Sequence, residues 1–518
     1  MISRALSHID RLLDRTIAGV DSAVGKIPRR WGESMLVVGF ALLVVWLFMK
    51  NIYFGIGAVV ALISGVFLLA RPVYLIYLIF AFIPITWVNL LGRRFRVITF
   101  LTLAAFFYYL VQAVIHQRKP QKEPVFFAFG LYLVACALSL INTVSFAVSF
   151  DSTKYYILAL MFSFALVLAV ETKRTISVLM VIFLALGVFQ SILSILQSAV
   201  SDTFYPASHF HVFGMAIVDL YSVGGIRRAS GTFESGPRYA MFLLGPTALV
   251  LTAVWRNLYN KRLLWVSLLI IYILGLFVSF TRAAIVFGSG YFFLYNIIER
   301  DWRMFFKSLL WAAIFMVVVL ALIMLVVPDN VTGAFVARFE TEDDERYLDR
   351  FTFLYNAVMA FSEHPLLGLG VGTYPLHSWD LMQKYPVPWE SLAWDINPLN
   401  MPEDVTTHND YGRMLAETGF LSLLAYLLIF FYSFRNYWFV LRKTKDALYR
   451  TLATGFAMYL GVMIVYWFFH EYIMEEPYIC VLPAIMSVVL KKLVIKETNE
   501  IEAGQKNTVS GELAEDNS

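Results

Sequence analysis

Apolar runs long enough to cross a bilayer follow one another along this chain from near Met35 to near residue 495. A helix needs about 20 such residues to span a hydrocarbon core, and it satisfies its backbone polar groups within itself. The sequence therefore reads as an all-α polytopic membrane protein. At 59% hydrophobic and 15% charged residues, with a mean hydropathy of +0.69, it is too apolar for an ordinary soluble domain.

The spans are expected near residues 35–49, 53–70, 72–91, 97–115, 125–141, 155–170, 176–196, 238–255, 263–280, 283–298, 305–327, 414–434, 451–469 and 478–495. That is about 12–14 transmembrane helices, since several runs are short for a crossing. Around this membrane domain (31–496) lie an amphipathic cytoplasmic helix (1–30) and a polar tail (497–518) expected to be disordered. The N-terminal helix is read from Leu6, Ile9, Leu13, Ile17, Val20 and Val24 at helical spacing.

Basic residues resist translocation, so their distribution sets the orientation. Most of the 41 Lys and Arg fall on one side, and the segment 435–450, with Arg435, Arg442, Lys443, Lys445 and Arg450, is the strongest cytoplasmic loop. Both termini are then inside, and outer loops cover about 198–237 and 328–410. Arg93, Arg94 and Arg96 run against this scheme, falling outside. The +4 formal charge is spread over cytoplasmic loops, which suits anionic lipid rather than nucleic acid. Cys136 and Cys480 lie in spans without metal-ligand spacing, and no cleavable signal peptide is evident.

Candidate chemistry gathers at the outer face. The stretch TTHNDYGRMLAETGFLSLLAY, 406–426, takes the chain from a polar loop into a span and puts His408 at headgroup depth. If the segment is helical from His408, then Tyr411, Gly412, Leu415 and Gly419 share its face, with the glycines leaving room for a neighbour. Arg413 and Glu417 are then spaced to pair, or Glu417 helps orient the site. Arg282, in SFTRAA, sits in a tight outer turn where its guanidinium suits a pyrophosphate; capping the preceding helix is the competing role. Arg227, Arg228 and Arg238 are outer arginines that contact either a ligand or lipid headgroups.

In the second outer loop a helix is expected from Arg346 to Phe361, stopping at His364-Pro365. GLGVGTYP, 368–375, reads as a turn, with phosphate contact the lesser alternative because the Walker lysine is missing. Trp379, Trp389 and Trp394 stack on sugars or rest at the bilayer interface. His209 and His211, and the acidic RFETEDDER, are weak metal signals, and no metal or other cofactor is expected.

SFTRAA, then DRFTFLYNAVMAFSEHPLLGLGVGTYP, then THNDYGRMLAETGFLSLLAYL occur in one order across about 225–430. Together they resemble the O-antigen ligase and Wzy-type polymerase superfamily of bacterial polysaccharide assembly. The resemblance implies a metal-independent, inverting glycosyltransferase in the bacterial cytoplasmic (inner) membrane, with its site on the periplasmic or extracellular face. Its donor would be an undecaprenyl-pyrophosphate-linked oligosaccharide and its acceptor another glycan. Lipid and other polysaccharide assembly proteins would be its partners. Residue by residue, Arg282 and Arg350 would hold the pyrophosphate and His408 would be the base. Arg228, Arg238 and Tyr411 are secondary candidates for substrate contact, and Asn409 or Tyr411 would orient the acceptor. An imidazole, whose ordinary pKa is about 6.5, suits removal of the hydroxyl proton, while guanidinium groups neutralise the departing pyrophosphate. Polymerisation is the first expectation and ligation of a finished glycan the alternative. A flippase or exporter is the reading from another class; against it, the first seven spans carry almost no ionisable groups.

Overall fold

A computed structural model describes residues 71–84, 88–90, 93–95, 97–117, 122–199, 222–223, 226–227, 229–233, 235–299, 344–386, 407–471 and 476–515, with 306, 310 and 317; 88–90, 93–95, 199, 222–223, 226–227, 344–350 and 503–515 are described as backbone only. By compactness the chain divides into residues 1–75 and a body of residues 76–518. The expected amphipathic helix and the spans at 35–49, 53–70 and 305–327 lie outside the described residues, apart from three isolated helical positions in the last.

Helices α1 (Val73–Phe82), α2 (Val97–Ile115), α3 (Pro124–Ser139), α4 (Phe146–Ala169) and α5 (Lys173–Ala199) come first. They are followed by α6 (Gly236–Trp255), α7 (Arg262–Val278), α8 (Arg282–Ser289) and α9 (Tyr291–Glu299). The second outer loop supplies α10 (Asp344–Glu363) and α11 (Tyr374–Lys384), and the chain closes with α12 (Asp410–Lys443), α13 (Ala447–Tyr466) and α14 (Pro477–Glu515). Among the described residues, seven helices are long and apolar enough to cross a membrane. Every expected span within the described residues contains helix, and the architecture is all-α and polytopic. Two hairpins of two to three residues per strand interrupt it: β1 (Val88–Leu90) with β2 (Arg93–Phe95), and β3 (Ser222–Val223) with β4 (Ile226–Arg227).

Three boundaries differ from the sequence reading. The span expected at 72–91 ends at Phe82, and the outlying Arg93 and Arg94 sit on the hairpin that follows. The span at 283–298 is two helices, broken in Gly288-Ser289-Gly290, where poor helix formers favour a bend. The tail expected to be disordered from 497 is helical as far as Glu515. It extends a helix already nucleated in the bundle, so each added turn avoids the nucleation cost.

Helices α6, α13 and α14 form the centre of the body. Their apolar windows are 89%, 78% and 83% buried, against 17% for α2 at the periphery. Phe183, Phe242 and Phe456 join α5, α6 and α13 through ring contacts at 5.4 and 6.4 Å. Opposite ends of the body are chemically distinct. One gathers ion pairs between neighbouring helix ends: Lys173 with Asp446, Arg256 and Arg450 with Glu299, and Lys491 with Glu123. Asp446 also caps α13, accepting the Leu448 and Tyr449 amides at 3.0 and 3.1 Å.

At the other end, α12 is broken at Gly419, whose φ of 72° departs from the helix. In a membrane such a break exposes backbone groups that need new partners. The segment after α10 supplies them. Leu369 and Gly370 amides donate to the Ala416 and Glu417 carbonyls at 2.8 and 2.9 Å, and the Phe420 amide donates to Pro365 O at 2.9 Å. Such contact needs glycine. A Cβ on Gly368 (φ 66°) would lie 2.3 Å from the Glu417 carbonyl carbon, and one on Gly419 2.5 Å from Leu366 O. Gly368→Ala is therefore expected to destabilise the protein by more than the about 1–3 kcal/mol of backbone strain alone. Thermal melting in detergent checks this, and a curve matching wild type would contradict it.

Candidate active site

The end of the body built on this break carries the residues singled out in the sequence. Helix α12 starts at Asp410, two residues later than expected: Asn409 is its cap and accepts the Gly412 amide at 2.8 Å. His408 thus precedes the helix. Its backbone has φ of 49°, in the left-handed region that non-glycine residues rarely occupy, and its side chain is exposed. The His408 N–H donates to Glu471 Oε2 at 3.1 Å, and the Thr407 hydroxyl lies 2.8 Å from the same oxygen. The neighbouring residues are tied to the end of α13: Asp410 N–H to Trp467 O at 3.0 Å and Asn409 Nδ2 to Phe468 O at 2.9 Å.

Beneath His408 lies a buried charge network. Arg413 donates through Nε to Glu417 Oε1 at 3.1 Å and through a terminal nitrogen to Glu471 Oε1. The side chains are 12%, 3% and 6% exposed, so the network is sealed from bulk water. Glu417 reaches onward, accepting the Gly372 amide at 2.6 Å and the Tyr374 amide at 3.2 Å. The pairing of Arg413 with Glu417 expected from spacing is thus present, and Glu417 also holds the glycine turn.

That turn answers the question raised by GLGVGTYP. Gly368, Gly370 and Gly372 all have positive φ, a conformation that presents backbone amides to an anion. Each amide from Gly368 to Tyr374 is already engaged, on His364 O, Ala416 O, Glu417 O, Ser139 Oγ, the Glu417 carboxylate or Gly370 O. The anion held here is the protein's own Glu417, which removes a substrate phosphate as the partner of these amides.

The helix expected from Arg346 to Phe361 is α10, ending at Glu363 before His364-Pro365. Its ring Phe353 lies 5.9 Å from the His408 ring, and Gly412 lets Leu354 approach, since a Cβ there would lie 2.8 Å from Leu354 Cδ1. The backbone of Arg350 is one turn before Phe353. Lys384 and Tyr385 pair with Glu363, joining the ends of α10 and α11 and holding the Glu363 carboxyl below its ordinary pKa.

Arg282 and Arg238 reach the same end by other helices. Arg282 opens α8, and five residues on Phe287 packs against Tyr466 and Phe469 at 6.3 and 5.4 Å. Arg238, in the first turn of α6, is 3.9 Å from Glu476, and the Tyr466 hydroxyl donates to the adjoining Pro237 O at 2.9 Å. The loop before α6 is pinned from within the bundle. Gln197 binds the Ser230 and Gly231 amides at 3.2 and 2.9 Å, Gln190 binds the Thr232 amide at 3.0 Å, and Ala229 N–H donates to Val278 O at 3.2 Å. Arg238 and His408 thus each have a glutamate partner in the stretch that follows α13, Glu476 and Glu471, and α8, which Arg282 opens, packs on Tyr466 and Phe469.

Tyr411 is placed differently from the other candidates. It is buried, packs on Phe468 at 4.3 Å and spends its hydroxyl on Ile464 O at 2.7 Å. Arg228, His209, His211, Trp389 and Trp394 lie outside the described residues, as does the Arg350 side chain. Among the described residues, no group of three His, Cys, Asp or Glu side chains is arranged to hold a metal ion. Glu471 and Glu476 were not legible as site residues. The available signal was the acids that follow a membrane span in WFFHEYIMEE, 467–476.

Residues 265–427 match the family model described as O-antigen ligase. That segment is similar to the O-antigen ligase family. It runs from α7 into α12 and contains Arg282, Arg350, the glycine turn, His408, Arg413 and Glu417. The resemblance read over 225–430 is borne out there, and the match supports a membrane glycan-transfer enzyme of the ligase or polymerase kind. No curated protein matches the chain. Arg238, Glu471 and Glu476 lie outside the matched segment: Arg238 in α6, Glu471 just after α13 and Glu476 just before α14.

Proposed function

We propose that this protein transfers an oligosaccharide from undecaprenyl pyrophosphate to a hydroxyl of a second glycan at the outer face of the bacterial cytoplasmic membrane. The observation that carries the reading is an exposed imidazole, His408, held before a membrane helix in a strained backbone by buried charges, inside the segment similar to the O-antigen ligase family. The orientation rests on charge. Arg435, Arg442, Lys443, Lys445 and Arg450 belong to the end of the body opposite His408, and in this reading their positive charge keeps that end in the cytoplasm.

In this reading His408 removes the proton of the acceptor hydroxyl as the oxygen attacks the anomeric carbon. The bond to the lipid pyrophosphate breaks on the far side, inverting that carbon. Arg282 and Arg350 neutralise the charge growing on the leaving group, with no metal required. Arg228 and Arg238 flank the donor; Arg238 is held by Glu476. Tyr411, with its hydroxyl occupied, orients the start of α12 and not the acceptor. Polymerisation, with the acceptor itself lipid-linked, is the first form of the reaction. Ligation to lipid A core or protein is the second, and the description of the matched family favours it.

Arg282→Ala is expected to lower kcat/KM for the lipid-linked donor by about 10²-fold or more, since a lost donor to developing charge costs that much. Purified enzyme in liposomes, given undecaprenyl-pyrophosphate oligosaccharide, provides the assay. Growing lipid-linked chains identify a polymerase, and consumption of donor only with a separate acceptor identifies a ligase. Movement of intact donor across the bilayer, with neither product, would overturn the reading in favour of an exporter.

A further inference from the structure

We propose that Glu471 is a positioning residue for His408, and that Arg413 ties it to the glycine turn, so that the base and the donor-side helix α10 are held by one charge relay. The inference rests on the glycan-transfer reading only for what His408 does; the clamp itself stands on geometry.

Three observations carry it. First, His408 occupies a left-handed backbone conformation, which is unfavourable for a non-glycine residue and persists only where surroundings impose it. Glu471 Oε2 is the acceptor that imposes it, taking the His408 amide at 3.1 Å with the Thr407 hydroxyl 2.8 Å away. Second, the other Glu471 oxygen is neutralised by Arg413, a guanidinium that two carboxylates share. Its rigid fork lets one arginine bridge both, which a lysine cannot reproduce. Third, Glu417 passes the connection to Gly372 and Tyr374, and the Tyr374 hydroxyl donates to Phe353 O at 3.0 Å, on the helix that carries Arg350. The relay thus runs from α13 through α12 to α10 and returns to His408 through the Phe353 ring.

Function gives this arrangement a reason. Displacement at a sugar carbon needs the base and the leaving-group cations on opposite sides of one atom, and errors near 1 Å cost about 10²-fold in rate. A sealed relay fixes that separation against bilayer motion. Glu471 lies beyond the matched segment, so this clamp is supplied by the helix pair that follows it.

The test uses the full chain in nanodiscs and two readouts. Hydrogen exchange is followed at the peptide covering Thr407–Asn409, with an α13 peptide as control, in wild type, Glu471→Ala, Glu471→Gln and Arg413→Lys. Glu471→Ala is expected to raise exchange at His408 by about tenfold or more, as an amide that loses its acceptor opens locally. Glu471→Gln keeps one acceptor oxygen and should restore part of the protection, and it remains informative if the alanine variant fails to fold. In transfer assays Glu471→Gln and Arg413→Lys are expected to lower kcat by about 10–100-fold, with donor KM within about threefold of wild type. Unchanged exchange at His408 would overturn the clamp. So would raised exchange with unchanged kcat, or equal rises at His408 and in the α13 control. Raised exchange confined to 407–409 in a protein whose wild type transfers no glycan would uphold the clamp and refute the transferase reading, so the two fail separately.

Discussion

Glu417→Ala is expected to be among the most damaging single substitutions in this protein. The carboxylate compensates Arg413 inside the body and accepts two backbone amides of the glycine turn. Its removal leaves a guanidinium with half its neutralisation and two buried donors without an acceptor. Breaking one side of a buried ion pair costs about 3–5 kcal/mol, and each orphaned amide adds about 1–3 kcal/mol. The sum rivals the whole stability of a typical domain. Little folded protein should survive extraction into detergent, as judged by size-exclusion elution and thermal melting. Glu417→Gln, which retains one acceptor oxygen but no charge, should fall between alanine and wild type. Recovery of Glu417→Ala at wild-type yield and melting temperature would show that the network is dispensable.

How much of this was visible beforehand follows from the range over which each interaction acts. The helices were legible because hydrophobic runs are local; α2, expected at 97–115, has those bounds. The Arg413–Glu417 pair was legible for the same reason, being one turn apart. His408 and Arg282 stood out through their local setting, a polar residue where a span begins. What stayed hidden acts across the chain. Glu471 is 63 residues from the His408 amide it accepts, and Gly372 is 45 residues from Glu417. Nothing in GLGVGTYP says that its anion is supplied by the protein itself. The break at Gly419 also escaped, since TGFLSLLAY reads as continuous helix until the turn that fills the break is known.

The second large effect is on chemistry. His408 has an exposed side chain, and the clamp acts through its backbone amide, which any residue but proline retains. His408→Ala keeps the amide clamp but gives up the Phe353 ring contact at a strained backbone position, so it should still fold, at a cost of no more than about 1–3 kcal/mol. Loss of a general base costs about 10²–10⁴-fold in rate. The fall should appear in kcat, with donor binding retained, because the pyrophosphate contacts are assigned to arginines on other elements. His408→Gln, similar in reach but unable to accept and carry a proton at neutral pH, should be nearly as slow.

Single-turnover transfer by purified wild type and His408→Ala in liposomes, with saturating undecaprenyl-pyrophosphate oligosaccharide and acceptor, tests the central claim most directly. The account predicts glycan transfer by wild type and a rate lower by about two orders of magnitude or more in the folded variant. Equal rates in the two proteins would contradict His408 as the base.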